Sequence, residues 1–439
     1  MERKIIFCKI LIIIFLGSYL KVESQIISGP YLGQVTTEQA YLWVLLKKCG
    51  TAAEAILQEN GQTIEQYSLP INQELFPVKK PAIIFTLKNL KPATKYSVSF
   101  SIDGKKQPQI CSFSTPNSNH EDTVTMLLGS CMYIGKGFFS PLNAFTNRGT
   151  LRQIAKEPPT NFLWLGDNVY YLPGYYWKNY KRMYLRNVSM RRTRVVNNAL
   201  RPHRQFAIWD DHDFGPNDGN GDFNKKDNSL KVFHQFWPNP KQPNQGSENY
   251  FTFSMGVIDF FCLDGRYYRT PQDGPSGEMF GKTQINWLIE ELKKSNAQFK
   301  CIVSGTQVLN EITKHESFAH YTTEFNNLLE LIRRNKISGV IFLSGDKHHS
   351  EAFKVEKENL YPLYEFTNSP LTSWPRPSFK GDVERNNPIR IPGSWYRKHN
   401  YGKFTCIPKN DTAELNYQVI SKRGKVVWSI KLLSKDLTY

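Results

Sequence analysis

Six short apolar runs that scarcely alternate with polar residues set the fold class of the chain after residue 120. They are Thr125–Leu128, Phe162–Leu165, Phe206–Trp209, Val257–Leu263, Cys301–Ser304 and Val340–Ser344. A strand with one solvent-exposed face alternates apolar and polar residues. These continuous apolar runs therefore predict strands that are covered on both faces. Gln284–Asn296 and Glu324–Asn335 lie between such runs with the spacing of amphipathic helices. Residues 119–439 are therefore predicted to form an α/β unit.

The chain before residue 119 has a different pattern. Short apolar runs such as Ala40–Leu46, Ala82–Leu87 and Tyr96–Ile102 are separated by turns, without a helical period. This predicts an N-terminal β-sandwich domain over residues 25–118. The segment Leu90–Tyr96 resembles the tyrosine corner of fibronectin-type and immunoglobulin-like domains. The polar stretch Pro116–Asp122 is a predicted linker, and residues 415–433 alternate like a C-terminal β-hairpin.

The first 24 residues are predicted to be a secretory signal peptide. Arg3 and Lys4 precede an apolar run from Ile5 to Leu20, which only Lys9 interrupts. The alternative is a membrane anchor, but the run is shorter than the ~20 apolar residues that a span requires. The sequence thus predicts an exported protein that is periplasmic, on the cell surface or extracellular, with no transmembrane segment after cleavage.

Export affects the interpretation of the cysteines. After removal of Cys8, six remain, which is too few for a disulfide scaffold in a chain of this length. Cys49 and Cys111 could pair, and Cys262 and Cys301 lie in apolar runs typical of core thiols. Composition excludes a disordered chain, because 40% of the residues are hydrophobic and 13% aromatic. The formal net charge of +17 favours anionic ligands, surfaces or substrates.

Five of the predicted strands end in polar, chemically active residues. The segments are Gly129–Cys131, Gly166–Tyr170, Asp210–Asp213, Asp264–Arg266 and Gly345–His349. Ligands in open α/β sheets bind beyond the carboxyl ends of the strands. Carboxylates and imidazoles brought together there would repel or desolvate one another unless a cation neutralised them. The pattern predicts a metal site, in which thiolate, phenolate and imidazole suit a transition metal and carboxylates suit calcium or magnesium.

Two other motifs have weaker interpretations. Gly277–Thr283 is one residue too short for a phosphate-binding loop, and no buried strand precedes it, so that function is rejected. The stretch from Tyr170 to Arg204 is rich in aromatics and arginines, which could contact a polyanion. We favour a solvated helix face or a lid over the active site, and we expect no stable nucleic-acid partner. The oligomeric state is left open.

Taken in order, the strand-end motifs resemble the PhoD-like (alkaline phosphatase D family) metallophosphatases over roughly residues 120–410. The matching motifs are Gly129-Ser130-Cys131, Gly166-Asp167 with Tyr170, Trp209-Asp210-Asp211-His212, Leu263-Asp264-Gly265-Arg266 and Gly345-Asp346-Lys347-His348. The resemblance implies a metallophosphoesterase-like core, with two layers of mixed sheet flanked by helices, behind an N-terminal immunoglobulin- or fibronectin-like β-sandwich.

The resemblance also implies a ligand set. Asp167 would bridge two metal positions, and Cys131, Tyr170 and His348 would hold Fe³⁺. Asp346 and one Asp of the pair Asp210 and Asp211, with Asp211 preferred, would hold Ca²⁺ together with Asp167. His212 takes the position of the histidine that contacts phosphate in related enzymes. Asp213 stands where many relatives have Glu.

The implied function is a secreted metal-dependent phosphoesterase, in which a metal-bound hydroxide attacks the phosphorus of a phosphomonoester or phosphodiester. His212 would stabilise the growing charge or protonate the leaving group. Arg266 would clamp a phosphate oxygen, with a salt bridge to a neighbouring acid as its alternative role. The competing functions are a phospholipase D-type phosphodiesterase and a non-catalytic, metal-containing binding protein. The substrate itself is not set by the sequence.

Overall fold

The computed structural model describes residues 24–74, 76, 78–117, 122–135, 147–171, 176–241, 249–271, 274–377 and 383–439. The predicted signal peptide lies outside these ranges except for Ser24, as do residues 118–121 of the predicted linker. Among the described residues, no helix is long and apolar enough to cross a membrane.

Seven strands fill the N-terminal part of the chain. They are β1 (Ile26–Val35), β2 (Ala40–Leu46), β3 (Ala52–Glu59), β4 (Gln62–Pro70), β5 (Ala82–Leu87), β6 (Lys95–Ile102) and β7 (Lys105–Ser114). Their antiparallel pairs form one sheet of order β1-β2-β5 and another of order β4-β3-β6-β7. Side chains of both sheets, including Leu42 and Phe100, share one buried cluster. The Tyr96 hydroxyl accepts a hydrogen bond from the Lys91 backbone N–H at 2.9 Å, a contact of the kind expected at a tyrosine corner.

The remaining twelve strands described form two six-stranded mixed sheets. The first has the order β10-β9-β8-β17-β18-β19 and the second β11-β12-β13-β14-β16-β15. The bounds are β8 (Val124–Gly129), β9 (Asn161–Leu165), β10 (Arg204–Ile208), β11 (Phe251–Met255), β12 (Ile258–Cys262), β13 (Phe299–Val303), β14 (Val340–Ser344), β15 (Glu351–Val355), β16 (Leu363–Thr367), β17 (Asn400–Lys409), β18 (Thr412–Ser421) and β19 (Val426–Leu433). The chain therefore has a mixed α/β fold.

Helices connect many of these strands. They are α1 (Gly149–Ile154), α2 (Tyr180–Arg191), α3 (Arg194–Leu200), α4 (Asp211–Phe214), α5 (Lys226–Phe236), α6 (Gly281–Lys294) and α7 (Thr322–Arg334), with short 3₁₀ turns elsewhere. Helix α6 buries Ile285, Leu288, Ile289 and Leu292, which share one face at helical spacing. The two predicted amphipathic helices are confirmed as α6 and α7, each starting two or three residues earlier than predicted.

The two six-stranded sheets pack face to face over the main core. Phe206 of β10 stacks on Phe253 of β11 with ring centroids 4.1 Å apart, and Phe366 of β16 stacks on Tyr417 of β18 at the same distance. Strands β8, β9 and β10 run parallel, as do β12, β13, β14 and β16. The carboxyl ends of these strands therefore meet at one edge of the core, where the polar segments follow.

The C-terminal hairpin is confirmed, because β18 pairs antiparallel with β19 around residues 422–425. Strand β17 was not predicted from the sequence; it lies between β8 and β18 and joins the parallel half of its sheet to the hairpin. Cys262 and Cys301 are buried core thiols as expected. Cys49 and Cys111 are both free, so the disulfide considered for them does not form here.

The N-terminal strands pack against the rest of the chain through an aromatic contact around Arg191. The Trp43 Nε1–H donates to the Gln235 carbonyl at 2.9 Å, and the Arg191 guanidinium lies 4.0 Å from the Trp237 ring centroid and 5.5 Å from that of Tyr31. Burial lowers the pKa of Arg191 to about 10. The solvated basic face predicted for residues 170–204 is wrong at this point, because Arg191 is fully buried.

Candidate metal centre

Three side chains from three strand ends surround one carboxylate oxygen. The Tyr170 hydroxyl donates to Asp167 Oδ2 at 3.0 Å, and the Cys131 Sγ lies 3.5 Å from the same oxygen. His348 Nε2 lies 3.2 Å from the Tyr170 hydroxyl oxygen. The donor atoms of Cys131, Asp167 and His348 all lie within 4.8 Å of one another. The structure thus brings together a thiol, an imidazole and the neighbouring carboxylate and phenol of Asp167 and Tyr170, from three segments that are far apart in sequence.

The second oxygen of Asp167 faces a different group. Oδ1 accepts a hydrogen bond from the His212 backbone N–H at 3.2 Å. Donor atoms of Asp167, Asp211 and His212 form a second set within 4.8 Å. Asp167 therefore belongs to both groups of donors, as a carboxylate between two cation positions would.

Backbone conformation at four of these residues is unusual. Cys131, Asp167, Asp346 and His348 have φ values of 56°, 55°, 62° and 55°. Non-glycine residues rarely adopt this left-handed region, and such strain is concentrated at functional sites.

Close packing of the strand ends requires glycine at two positions beside these turns. A Cβ on Gly345 would lie 2.3 Å from the Leu165 carbonyl oxygen. A Cβ on Gly166, whose φ is 87°, would lie 2.6 Å from the Asp210 Cβ. The turns after β9, β10 and β14 can approach one another only because these side chains are absent.

The buried carboxylates would be stabilised in their ionised form by a cation. Burial, and then the negative charges of Asp211 and Asp210, raise the pKa of Asp167 well above its usual range. Burial, and then the charge of Asp210, do the same to the pKa of Asp346. A positive ion between them would reverse both effects, because it stabilises the ionised forms.

The other donors have the chemistry of metal ligands. Burial, and then the charge of Asp167, raise the pKa values of Cys131 and Tyr170. Burial lowers the pKa of His348 to about 3, so its imidazole is neutral, which is the form that binds metals. His348 Nδ1 lies 2.5 Å from the Trp374 carbonyl oxygen, which leaves Nε2 directed at the centre. The donor set therefore fits a metal centre with one soft and one harder position.

Asp210 and Asp211 have different surroundings. Asp211 Oδ2 accepts the Asp218 backbone N–H at 2.9 Å, while its buried Oδ1 has no hydrogen-bond partner in the described structure. Burial raises the pKa of Asp211, but the neighbouring His212 and Arg266 lower it, and the net pKa lies below the usual range. The lowered pKa and the unpartnered Oδ1 make Asp211 a candidate ligand for a cation.

Asp210 instead faces Arg266. Its Oδ1 accepts from Arg266 Nε at 2.6 Å, and neither residue is more than 2% exposed at its side chain. The Asp210 backbone N–H donates to Asp213 Oδ1 at 2.6 Å, which closes the first turn of α4. Arg266 thus binds Asp210 through Oδ1, while the buried Asp210 Oδ2, like Asp211 Oδ1, has no hydrogen-bond partner in the described structure.

The same ion pair corrects the role considered for Arg266. Its guanidinium is fully buried and also contacts Glu316 Oε2 at 2.5 Å and the Gly219 carbonyl at 3.2 Å. Clamping of a substrate phosphate would require the guanidinium to break these contacts and leave Asp210 without its partner. Arg266 has the salt-bridge role that the sequence analysis kept as its alternative, and it ties together the loops after β10, β12 and β13.

Residues 346–349 after β14 alternate between two environments. His348 belongs to the donor cluster, and Asp346 lines the cavity beside that cluster. Lys347 Nζ lies 3.2 Å from Glu384 Oε1, and His349 Nε2 lies 2.7 Å from Glu351 Oε1. His349, Glu351 and Glu384 have the spacing of a metal set, but cations already occupy these carboxylates: Lys347 and Arg376 lie on Glu384, and Arg390 on Glu351. We assign no metal there.

A cavity of about 590 Å³ opens onto the donor cluster, with Asp211, His212, Asp346 and His348 in its wall. The His212 ring stacks on Tyr170 with centroids 4.1 Å apart, so its imidazole lies beside the centre. Sequence reasoning missed two contributors to the site. The Ser369 hydroxyl donates to Cys131 Sγ at 3.0 Å, and Trp374 packs on His348. Both lie in loop segments whose only sequence signal is their place after β16.

Comparison with known proteins identifies a matching family and two similar solved structures. The model of the PhoD-like phosphatases matches residues 129–434. A solved structure described as PhoD is similar to the chain, with a TM-score of 0.73, 17% identity and coverage of 93% of this chain and 89% of that one. Purple acid phosphatase PPD1 from yellow lupin (Lupinus luteus) seeds has a TM-score of 0.62 and 13% identity, covering 92% and 73%. No curated protein sequence matches the chain.

Proposed function

We propose that this chain, which belongs to the PhoD-like phosphatase family and is thus a metal-dependent phosphoesterase, acts at the centre around Asp167. Its substrates would be phosphomonoesters, phosphodiesters or both. The observation that carries the proposal is the position of Asp167 between two donor groups, with Oδ2 facing Cys131 and Tyr170 and Oδ1 facing His212. Phosphate esters are anionic, so a site that hydrolyses them must neutralise charge on the phosphoryl oxygens.

Cys131, Tyr170 and His348 would hold Fe³⁺, and Asp211 and Asp346 would hold Ca²⁺, with Asp167 shared between the two. Thiolate, phenolate and imidazole are ligands for a transition metal, whereas carboxylate oxygens are ligands for calcium. When bound, the two cations would supply charge neutralisation of the phosphate and a lowered pKa for the attacking water. We prefer Asp211 to Asp210 in this set because Asp211 lines the cavity, whereas Asp210 does not and has one oxygen bound by Arg266.

His212 is the protein group that we assign to the leaving oxygen. It lines the cavity, is 8% exposed, and its ring is held against Tyr170. An imidazole in that position can donate a proton to a departing alkoxide or stabilise charge on phosphorus. Ser369 and the Trp374 carbonyl would orient Cys131 and His348 through the hydrogen bonds described above.

Two further assignments belong to the proposal. Residues 25–118 would be an N-terminal β-sandwich domain and residues 119–439 the catalytic domain, because each part has a core cluster of its own, while a third cluster joins Tyr31 and Trp43 to the later part. Residues 1–24 would direct export and be removed. Protein sequencing of material secreted by the native host, with an N-terminus at Gln25, would support the cleavage site.

The proposed activity is tested with protein purified without chelators. We expect hydrolysis of bis(4-nitrophenyl) phosphate, 4-nitrophenyl phosphate or both, with loss on chelation and recovery when iron and calcium are returned. Asp346→Asn should abolish turnover, whereas Asp436→Asn, at an exposed acid outside the cavity, should leave it unchanged. A folded protein with a full complement of metals and no activity on either ester would overturn the proposal and leave a non-catalytic binding protein.

A further inference from the structure

The segment of residues 369–376, which follows strand β16, binds the backbone beside two candidate iron ligands. The Ser373 backbone N–H donates to the Cys131 carbonyl at 3.0 Å, and the Arg376 backbone N–H donates to the His348 carbonyl at 2.9 Å. Cys131 and His348 come from different strand ends, so this segment holds the two turns in one arrangement.

The Ser369 hydroxyl connects the same two ligands directly. Its oxygen accepts a hydrogen bond from the His348 backbone N–H at 3.0 Å, and its proton is donated to Cys131 Sγ at 3.0 Å. Ser369 and Cys131 are both fully buried. A hydroxyl that already accepts a hydrogen bond is polarised and becomes a stronger donor. The hydrogen bond to sulfur is therefore strengthened by the backbone of a second ligand.

Ser130 provides a comparison at the same sulfur. It is also fully buried, and its hydroxyl oxygen lies 3.5 Å from Cys131 Sγ. The Ser130 hydroxyl donates to the Asn368 carbonyl at 2.9 Å. Because a hydroxyl carries a single proton, that of Ser130 is used at the carbonyl, whereas that of Ser369 is directed at the sulfur.

We propose that Ser369 is a positioning residue that limits electron donation from the Cys131 thiolate to a bound Fe³⁺ ion. The inference rests on the proposed function and specifies how the protein adjusts its iron position. Hydrogen bonds to a metal-bound sulfur withdraw electron density from it and help to set the reduction potential. A thiolate that donates less leaves more positive charge on the ion, which is the property that a phosphoesterase uses.

A purely structural role for Ser369 makes different predictions. If the hydroxyl only holds the His348 backbone in place, its removal should displace a ligand and reduce the iron content. If it acts on the sulfur, iron should stay bound while the Fe–S bond strengthens. The iron content and the spectrum of the Fe–S bond therefore separate the two roles.

Ser369→Ala in the full chain, purified without chelators and loaded with iron, tests the inference. We expect full iron content, a thiolate charge-transfer band at longer wavelength and a higher Fe–S stretching frequency in resonance Raman spectra. The ratio of ferric to ferrous iron at a fixed potential should rise about tenfold, as for loss of one hydrogen bond to a charged group. For one electron this equals a fall of about 59 mV in the reduction potential.

Two further variants serve as controls. Ser369→Thr retains the hydroxyl and should restore the wild-type band and potential. Ser130→Ala removes a buried hydroxyl beside the same sulfur and should leave both nearly unchanged. If Ser369→Ala does not fold, resonance Raman spectra of the wild-type protein prepared in H₂O and in D₂O replace it. The Fe–S frequency should then differ between the two solvents, and equal frequencies would overturn the inference.

Unchanged spectra and potential in an iron-loaded Ser369→Ala protein would overturn the inference, as would an equal shift in Ser130→Ala. Loss of iron from Ser369→Ala would also overturn it, because the hydroxyl would then only hold the ligands in place. Each of these results leaves the proposed function standing if the wild-type protein hydrolyses phosphate esters. A wild-type protein that binds no iron would reject the inference, and its hydrolysis of the esters would still uphold the proposed function.

Discussion

The Tyr170 hydroxyl donates a hydrogen bond of 3.0 Å to Asp167 Oδ2. Both residues follow strand β9, and they are three positions apart in the sequence. Asp167 adopts a left-handed backbone with φ of 55°, and this turn brings the phenol back over the carboxylate. A local feature of the chain thus places a phenolic oxygen and a carboxylate oxygen at one point. A ferric ion there would replace the shared proton.

Tyr170→Phe should weaken and shift the visible absorption of the metal-loaded protein, because only the Cys131 thiolate would then remain as a charge-transfer ligand. Phenolate and thiolate bound to Fe³⁺ give charge-transfer bands, and the substitution deletes the phenolate. Absorption spectra with iron analysis on the same sample provide the measurement. Tyr171→Phe is the matched control, because Tyr171 is equally buried but its hydroxyl accepts from Asn187 outside the centre. A colourless wild-type protein that is free of iron and fully active would contradict the ligand assignment.

Asp167→Ala should abolish activity while the protein remains folded. Asp167 is the one residue common to the two donor groups around it, so its loss would leave two cations facing each other without a bridge. Turnover and metal content are to be measured together with circular dichroism. Asp264→Asn is a useful comparison, because this buried acid lies outside the two donor groups. Asp264 accepts hydrogen bonds from Trp209 Nε1–H and from two backbone N–H groups. Near-normal activity of a metal-loaded Asp167→Ala protein would rule out the shared carboxylate.

His212→Asn should slow poor leaving groups much more than activated aryl phosphates. A general acid contributes ~10²–10⁴-fold, and only where the departing oxygen needs a proton. The measurement is the rate for a series of esters against the pKa of the leaving group. If His212 only neutralises charge on phosphorus, all esters should slow alike with metal retained. Loss of calcium along with activity would show that His212 instead supports a neighbouring ligand.

Trp43→Ala should destabilise the protein by about 3–5 kcal/mol, as expected for a buried aromatic residue. Trp43 stacks on Tyr31 and packs near Arg191, so the loss opens the contact between the N-terminal strands and the rest of the chain. Trp43→Phe should cost less, because it retains most of the packing and loses the hydrogen bond to Gln235. Denaturant unfolding of the two variants checks the order. An unchanged unfolding midpoint for Trp43→Ala would contradict it.

Removal of residues 25–118 should lower solubility and leave the chemistry in place. The deletion uncovers Trp237 and Arg191, whereas every residue that we assign to the metal centre lies beyond residue 130. Soluble yield and turnover of the metal-replete truncation are the measurements. A soluble, metal-replete truncation with no turnover would show that the N-terminal strands complete the site.

Much of the centre could be predicted because its ligands directly follow buried strands. Cys131, Asp167, Asp346 and His348 each lie within four residues of a strand end, and apolar runs locate those ends in the sequence. The same reasoning could not separate Asp210 from Asp211. Their difference depends on Arg266, which lies more than 50 residues away and reaches Asp210 only after the sheets have packed.

Contacts that depend on packing were harder to foresee. Burial of Arg191 could not be read from a basic, aromatic segment, because the rings that cover it come from β1, β2 and the end of α5. Strand β17 was missed because polar and apolar residues mix in its middle, where Phe404 and Cys406 are buried and Lys403 and Thr405 on the other face are half-buried. Trp374 and Arg376 lie outside regular structure, and only their place beside His348 makes them part of the cavity.

The alternation along residues 346–349 has a consequence for moving this centre to another protein. Asp346 and His348 lie on the side of the metal centre. Lys347 and His349 are bound by Glu384 and Glu351 on the other side of the segment. Deleting or inserting a single residue would exchange the two sets, so that a lysine would meet the cations and an aspartate would meet a buried glutamate. A transplanted site would therefore need the rear carboxylates and their arginine partners along with the ligands. The smallest unit that could be transferred is residues 346–349 together with Glu351, Glu384 and the arginines that bind them. Copying the metal-ligand residues alone would not reproduce the site.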